Sequence, residues 1–472
     1  MSERKRIYLC LAHMSDEGIE QKYIKEAFDT NWVVPLGPNV NGFEKDLEEF
    51  VSLTPNPSPE GKGEAYPQPL PEGKGGKRVV ALSSGTSAVH LALIACGVKP
   101  GDEVLVQSFT FCASSHPITY LGATPVFIDS EKDTWNMDPD LLEEAIKDRI
   151  AKTGKKPKAI IPVALYGMPY KIDQIIAIAD KYEIPVIEDA AEGFGSKFNG
   201  QVLGTFGKYG VLSFNGNKMI TTSGGGALIT PDEESWREIM MYATQYRESY
   251  PYYQHEKIGY NYRMSNICAG IGRGQMTVVD QHLQHHKHVQ KLYEELLASV
   301  PGIKVHCQPN ENANDNHNTP KYDSNYWLCT ITLDPELKIK GQENAYKTIV
   351  KGAVGGAAGV IHVADSATTD CQPNDNVEAL RVFLDQAQIE ARPVWKPMHC
   401  QPVYRRVGVE SGKLKVESLP NGIIRQTSDA SVAYINGVSE AIFKVSMCLP
   451  SGPCVTDDDV KYIVDTIKNA IA

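Results

Sequence analysis

Ser213-Phe-Asn-Gly-Asn-Lys218-Met-Ile-Thr-Thr-Ser-Gly-Gly-Gly226 sets a lysine between a short apolar run and a glycine-rich turn. Val211 to Phe214 reads as a buried strand, and Ala227 to Ile229 as a second one. Upstream, Ile187-Glu-Asp189-Ala-Ala-Glu192-Gly-Phe-Gly195 repeats the arrangement, with carboxylates at the end of an apolar strand. A lone lysine is normally a solvated surface residue, so the surroundings of Lys218 carry the argument. They offer an amine, a buried carboxylate, and hydroxyl or backbone donors for an anion. A pyridoxal phosphate enzyme needs that set: a Schiff-base lysine, a partner for the pyridine nitrogen and a phosphate cup.

Working outward, residues 78 to 229 alternate between β-branched runs and helical stretches. Runs at 79–82, 104–106, 125–128, 159–162, 185–187 and 211–214 read as buried strands, and 87–96, 139–150 and 172–182 as helices. This alternation predicts an α/β fold with a mostly parallel sheet covered on both faces. Ligands in such sheets bind beyond the carboxyl ends of the strands, where Asp189 and Ser213 both stand. Ser83-Ser84-Gly85-Thr86-Ser87 also follows a strand and opens a helix. Its free N–H groups suit an anion, although Ser and Thr cap helices without binding anything. Asp189 has an equally plain structural reading, as a cap of the turn that follows it.

The 472 residues suffice for two or three domains, and 42% apolar with 22% charged residues is ordinary for a globular protein. A net charge of -11 argues against nonspecific nucleic-acid or anionic-membrane binding. The apolar run near the start stops at His13, too short for a signal peptide, and no stretch is long enough to span a bilayer. The ten cysteines show no metal-like spacing. Cys10, Cys96, Cys112, Cys268 and Cys448 lie among apolar residues, so reduced thiols in a cytoplasmic enzyme and no metal are expected.

A long helix over 282–299 opens a smaller C-terminal α/β domain, giving expected units of 1–279 and 280–472. Insertions are expected at about 54–77, 309–321 and 337–371. The first contains a near-repeat of Pro55 to Gly63 at Pro67 to Gly75. The Gly/Ala run at 352–359 lacks the Gly-Lys-Ser/Thr of a phosphate loop.

Gly85-Thr86, Glu188-Asp189-Ala-Ala-Glu192, Ser213-x4-Lys218 with its trailing glycines, and Gly259-Tyr-Asn261-Tyr-Arg263-Met-Ser-Asn266 stand in one order along the chain. With Asn31 to Pro38, Arg392 to His399 and Cys448 to Gly452, they closely resemble the DegT/StrS-type sugar aminotransferases, across nearly all the chain outside the insertions. The resemblance implies a fold type I transferase, with a mostly parallel seven-stranded sheet between helices and a small C-terminal domain. The set is most similar to the bacillosamine branch, which aminates UDP-linked 4-keto-6-deoxy-N-acetylhexosamines for surface polysaccharide or glycans. By that likeness, Gly85, Thr86 and Ser213 hold the cofactor phosphate, Phe111 stacks on its ring, Asp189 meets its nitrogen and Glu192 approaches its hydroxyl. Asn261 or Arg263 reaches the neighbouring subunit's cofactor in a C2 homodimer. Trp32, Pro35, Tyr166, His255, Lys396 and His399 line the sugar site. Ala164 departs from the pattern, standing where many relatives carry histidine.

The expected reaction is a ping-pong transfer from glutamate to a nucleotide-linked keto sugar, with Lys218 as proton shuttle. Two alternatives remain open at this level. A sugar dehydratase on the same fold would put histidine in place of the lysine retained here. A non-catalytic regulatory or scaffold homologue would have no use for the intact lysine, aspartate and serine.

Overall fold

The apolar runs on either side of Lys218 become strands Tyr209–Ser213 and Gly226–Thr230, paired antiparallel near one edge of a large sheet. The computed structural model describes residues 5–52, 76–312, 320–346, 371–405 and 414–472. Strand Gly226–Thr230 also pairs antiparallel with Arg78–Leu82. On the other side, Tyr209–Ser213 runs parallel to Ile187–Asp189. Parallel bridges Ile160 to Val186 and Val163 to Asp189 continue the sheet to Ile160–Ile161, then to Glu103–Gln107 and Thr124–Ile128. Seven strands result, all parallel except Gly226–Thr230. The carboxyl ends of the parallel strands therefore line one edge.

Alternation along each strand feeds two cores. Val80, Leu82, Val104, Val106, Val211 and Leu228 face helices Gly85–Ala95 and Glu233–Ala243. Val79, Ala81, Leu105, Val126, Leu212 and Ile229 face Pro38–Ser52, Pro139–Thr153 and Ile172–Tyr182. Both faces are buried, which is why these strands read as continuous apolar runs.

A second sheet, in the order Ile303–Val305, Cys329–Leu333, Ser446–Leu449, Arg392–Pro393, is antiparallel throughout. Helices Val279–Leu297, Asp375–Gln386 and Asp457–Ala470 cover it, and Ile7 from the N-terminal segment joins its core. Residues 415–435 stand beyond residue 280 yet extend the large sheet: Val432–Ile435 pairs parallel with Thr124–Ile128 and carries two more strands outside it. The sequence-level division at 280 follows the long helix and gives no sign of this return, because strand pairing is non-local.

The expected insertions fall largely outside the described residues, as does the Gly/Ala run. Ile339, at the start of the third stretch, is buried in the small core and bridged to Ile471. Among the described residues no helix is long and apolar enough to cross a membrane.

Candidate active site

The turn after strand Tyr209–Ser213 carries Lys218 toward the end of strand Ile187–Asp189. Asp189 ends its strand 4% exposed and sits inside a hydrogen-bonded frame. The Ser114 hydroxyl donates to its Oδ2 at 2.6 Å, and the Ala191 N–H donates to Oδ1 at 3.1 Å. Ser114 is paired in turn with the Thr110 hydroxyl at 2.8 Å. Burial pushes the Asp189 carboxyl up from its ordinary value, with Ser114, Ala191 and the Lys218 charge pulling the other way. A cationic partner at the ring nitrogen would complete this half-satisfied carboxylate.

The Lys218 amine lies 3.5 Å from Glu192 Oε1 and 4.2 Å from the centroid of Trp327. Glu192 is buried, and burial raises its carboxyl against the pull of Lys218. Its Oε2 accepts from the Tyr166 N–H at 2.8 Å. Asn325 donates from Nδ2 to the carbonyls of Glu192 and Phe194, holding the turn that carries the glutamate. Tyr166 itself takes a left-handed backbone at φ 54, rare for a bulky residue and typical of functional turns.

The anion cup forms where helix Gly85–Ala95 begins. Ser84 and Ser87 close a capping box in which the Ser87 N–H donates to Ser84 Oγ at 3.0 Å, with the Gly85 and Thr86 N–H groups at the positive end of the helix. A Cβ at Gly85 would meet the Cβ of Ser213 at 3.1 Å, a tight contact that glycine avoids where the helix start lies against Ser213. Gly226 is the more constrained, since an added Cβ would lie 2.4 Å from the Gly85 nitrogen, closer than backbone allows. Phe111, 48% exposed, opens the turn that carries Ser114 and leans on Trp395 at 5.3 Å between ring centroids. Lysine, buried carboxylate, exposed ring and helix-start cup all fit pyridoxal phosphate.

Other sequence-predicted residues sit elsewhere. The Arg263 guanidinium is committed within its own chain, to the Glu44 carboxylate and the Ala81 carbonyl. His399 is buried with both ring nitrogens engaged, Nδ1 with Ser108 at 2.6 Å and Nε2 with Glu440 at 3.1 Å. Tyr166 is also buried, and its hydroxyl accepts from the Trp395 N–H at 2.7 Å, so it braces the wall next to Lys396. Trp32 and Pro35 are exposed on a segment held by Asn266, whose Nδ2 donates to the Trp32 carbonyl. His255 is exposed, with Nδ1 on the Gln245 carbonyl. Among the described residues no hydrogen bond, ion pair or ring contact joins Trp32, Pro35, His255 or Asn261 to Lys218, Asp189 or Glu192. Sequence reading missed Ser114, Trp327 and Trp395. Ser114 stands four residues after Thr110 beside Phe111, a one-turn spacing that was the available signal; the two tryptophans reach Lys218 and Phe111 only through the fold.

This combination defines a fold type I pyridoxal phosphate transferase. The model of the DegT/DnrJ/EryC1/StrS aminotransferase family matches residues 68–343. Over 470 residues the chain is 38% identical to "Putative pyridoxal phosphate-dependent aminotransferase EpsN" of Bacillus subtilis (strain 168), covering 98% of this chain and 95% of the relative. It is 30% identical to GDP-perosamine synthase of Escherichia coli O157:H7, covering 98% of each. A DegT DnrJ EryC1 StrS aminotransferase from Brucella abortus superposes with a TM-score of 0.71 at 24% identity, over 96% of this chain and 95% of that one, which speaks to the fold. The chain belongs to the DegT/DnrJ/EryC1/StrS aminotransferase family and is a pyridoxal phosphate-dependent aminotransferase.

Proposed function

We propose that the protein transfers an amino group from glutamate to C4 of a nucleotide-linked keto-deoxy sugar, with UDP-4-keto-6-deoxy-N-acetylhexosamine as the leading acceptor. The observation that carries the chemistry is the Lys218 amine 3.5 Å from Glu192, in the same pocket as Asp189 on its Ser114 support. A relative named for GDP-perosamine, over nearly its whole length, favours a nucleotide-sugar acceptor. The motif likeness to the bacillosamine branch favours UDP and C4.

Pyridoxal phosphate, when bound, supplies an electron sink for negative charge at the reacting carbon. The first turn of Gly85–Ala95, with Thr86 and Ser213, holds the phosphate by backbone donors and the helix dipole. Asp189 keeps a proton on the pyridine nitrogen, a task suited to a carboxylate that lacks a full cationic partner in its own chain. With the cofactor bound, the Lys218 amine would take the proton from Cα of the amino donor, and in the second half-reaction it would give a proton to the sugar carbon. Proton transfer by a positioned group is worth about 10²–10⁴ in rate. Glu192 keeps the amine aimed, and Trp327 with the Tyr166–Trp395 wall excludes water.

A homodimer completes this reading. Trp32, Val33, Val34 and Leu36 are exposed together, as are Tyr250, Tyr252 and Tyr253, and a partner subunit would cover such apolar surface.

Incubation with glutamate and a panel of UDP-, GDP- and dTDP-linked keto sugars tests the substrate. Mass spectrometry should find one aminated sugar formed in step with 2-oxoglutarate. Loss of a sugar hydroxyl without amine gain, or no product from any acceptor, would sink the assignment. Lys218→Ala should lower turnover by at least about 10²-fold and remove the visible absorbance of the bound cofactor.

A further inference from the structure

Away from Lys218, three side chains from distant segments meet. Cys371 precedes helix Asp375–Gln386, Cys400 ends the Met398–Cys400 turn, and Glu440 lies on helix Val438–Val445. Their sulfur and carboxylate atoms all fall within 4.8 Å of one another. Both cysteines are free and buried, at 4% and 3% exposure, and Glu440 is half-buried. The surroundings are ordered toward the same point. Ser108 bonds His399 Nδ1 at 2.6 Å, and His399 Nε2 then meets Glu440 Oε1 at 3.1 Å, orienting the carboxylate.

We propose that Cys371, Cys400 and Glu440 form a binding site for a soft divalent cation of the zinc type. Two sulfurs with one carboxylate oxygen favour zinc over magnesium or calcium, which take all-oxygen sites. In a tetrahedral zinc site the sulfurs lie about 2.3 Å from the metal, hence about 3.8 Å apart, and the observed spacing closes to that with small side-chain movement. A carboxylate ligand held by a buried histidine matches the outer-shell support such sites use. Three protein ligands leave a fourth position for water. The cation would brace the active-site wall, because the Met398 N–H donates to the Ser108 carbonyl at 2.7 Å and Ser108 leads into Phe111 and Ser114. The two cysteines stand 29 residues apart, with no paired-cysteine motif to announce them.

The test uses the full chain, freed of metal by a chelator and titrated with Co²⁺, then Zn²⁺. About one Co²⁺ per chain should bind with thiolate-to-cobalt charge-transfer absorption, and Zn²⁺ should displace it and shield two thiols from alkylation. Cys371→Ser and Cys400→Ser should each abolish the charge-transfer band, and Glu440→Gln should weaken binding by about 10–100-fold. Should a serine variant fail to fold, thiol protection in the unmodified protein still decides. Absence of the band, its persistence in both serine variants, or a Cys371–Cys400 disulfide in the freshly purified protein would overturn the proposal.

Discussion

Asp189 shows what a reacting pocket costs a single residue. Its carboxyl is buried on two neutral donors and a nearby lysine, and burial raises it above its ordinary value. A group raised in the folded state adds stability below its unfolded value, near 3.8, and loses that contribution as pH rises through the folded one. At pH 7 the cofactor-free protein therefore carries a penalty at this site. Asp189→Asn should make the cofactor-free protein more stable at pH 7 by about 1–3 kcal/mol in chemical denaturation, with the gain shrinking toward pH 4. The same variant should lose at least about 10²-fold in kcat/KM. A cofactor-free variant less stable than its parent at pH 7 would show that Asp189 is held for structure. The sequence marked Asp189, Lys218 and Glu192 because each stands at the end of an apolar run. It left Ser114 unmarked, because a serine among serines carries no signal until its partner is known.

At the level of elements, the N-terminal helix Pro38–Ser52 is tied to the sheet through charge. Glu44 accepts from the Ala81 N–H at 2.8 Å and pairs with Arg263, both side chains being about nine-tenths buried. Arg263→Ala leaves a buried carboxylate without its counterion, which typically costs about 3–5 kcal/mol. A loss of that size in chemical denaturation is expected, with Arg263→Lys recovering part of it. Had Arg263 served only a neighbouring subunit's cofactor, cofactor affinity would fall while stability held, and that pattern would refute the structural role. Asn266 adds a second tether, accepting from the Asn39 N–H at 2.9 Å while donating to the Trp32 carbonyl at 2.9 Å. The Gly259 to Asn266 motif thus works partly as masonry between elements, a role its spacing does not reveal.

Across the whole molecule, helix Val279–Leu297 joins the two sheets. Near its start His282 meets the Met219 carbonyl beside Lys218, and toward its end the Tyr293 hydroxyl donates to the Pro450 carbonyl in the small core. Two histidines near this junction, one buried and one half-buried, are withdrawn from water, and that desolvation pushes both down to about 3. These are His286 and His306, the latter stacked on Trp135 at 3.8 Å. A lowered folded value gives stability that is complete above the unfolded value of 6.5 and is lost as pH falls toward 3. Stability should therefore fall below about pH 6.5, each group adding a slope approaching 1.4 kcal/mol per pH unit. His306→Gln should flatten that limb in denaturation series between pH 6.5 and 4. An unchanged slope would exclude His306 as a contributor.

The sequence by itself determined the alternating large domain, the lysine and the carboxylate at their strand ends, and the family, because these depend on local periodicity and on motifs short enough to read along the chain. Tertiary structure alone decided that residues 415–435 return to the large sheet, that Arg263 and His399 are consumed by neighbours inside the chain, and that Cys371 meets Cys400 and Glu440. Those outcomes rest on pairing between segments far apart in sequence, where burial and hydrogen-bond satisfaction choose the partner and residue type does not.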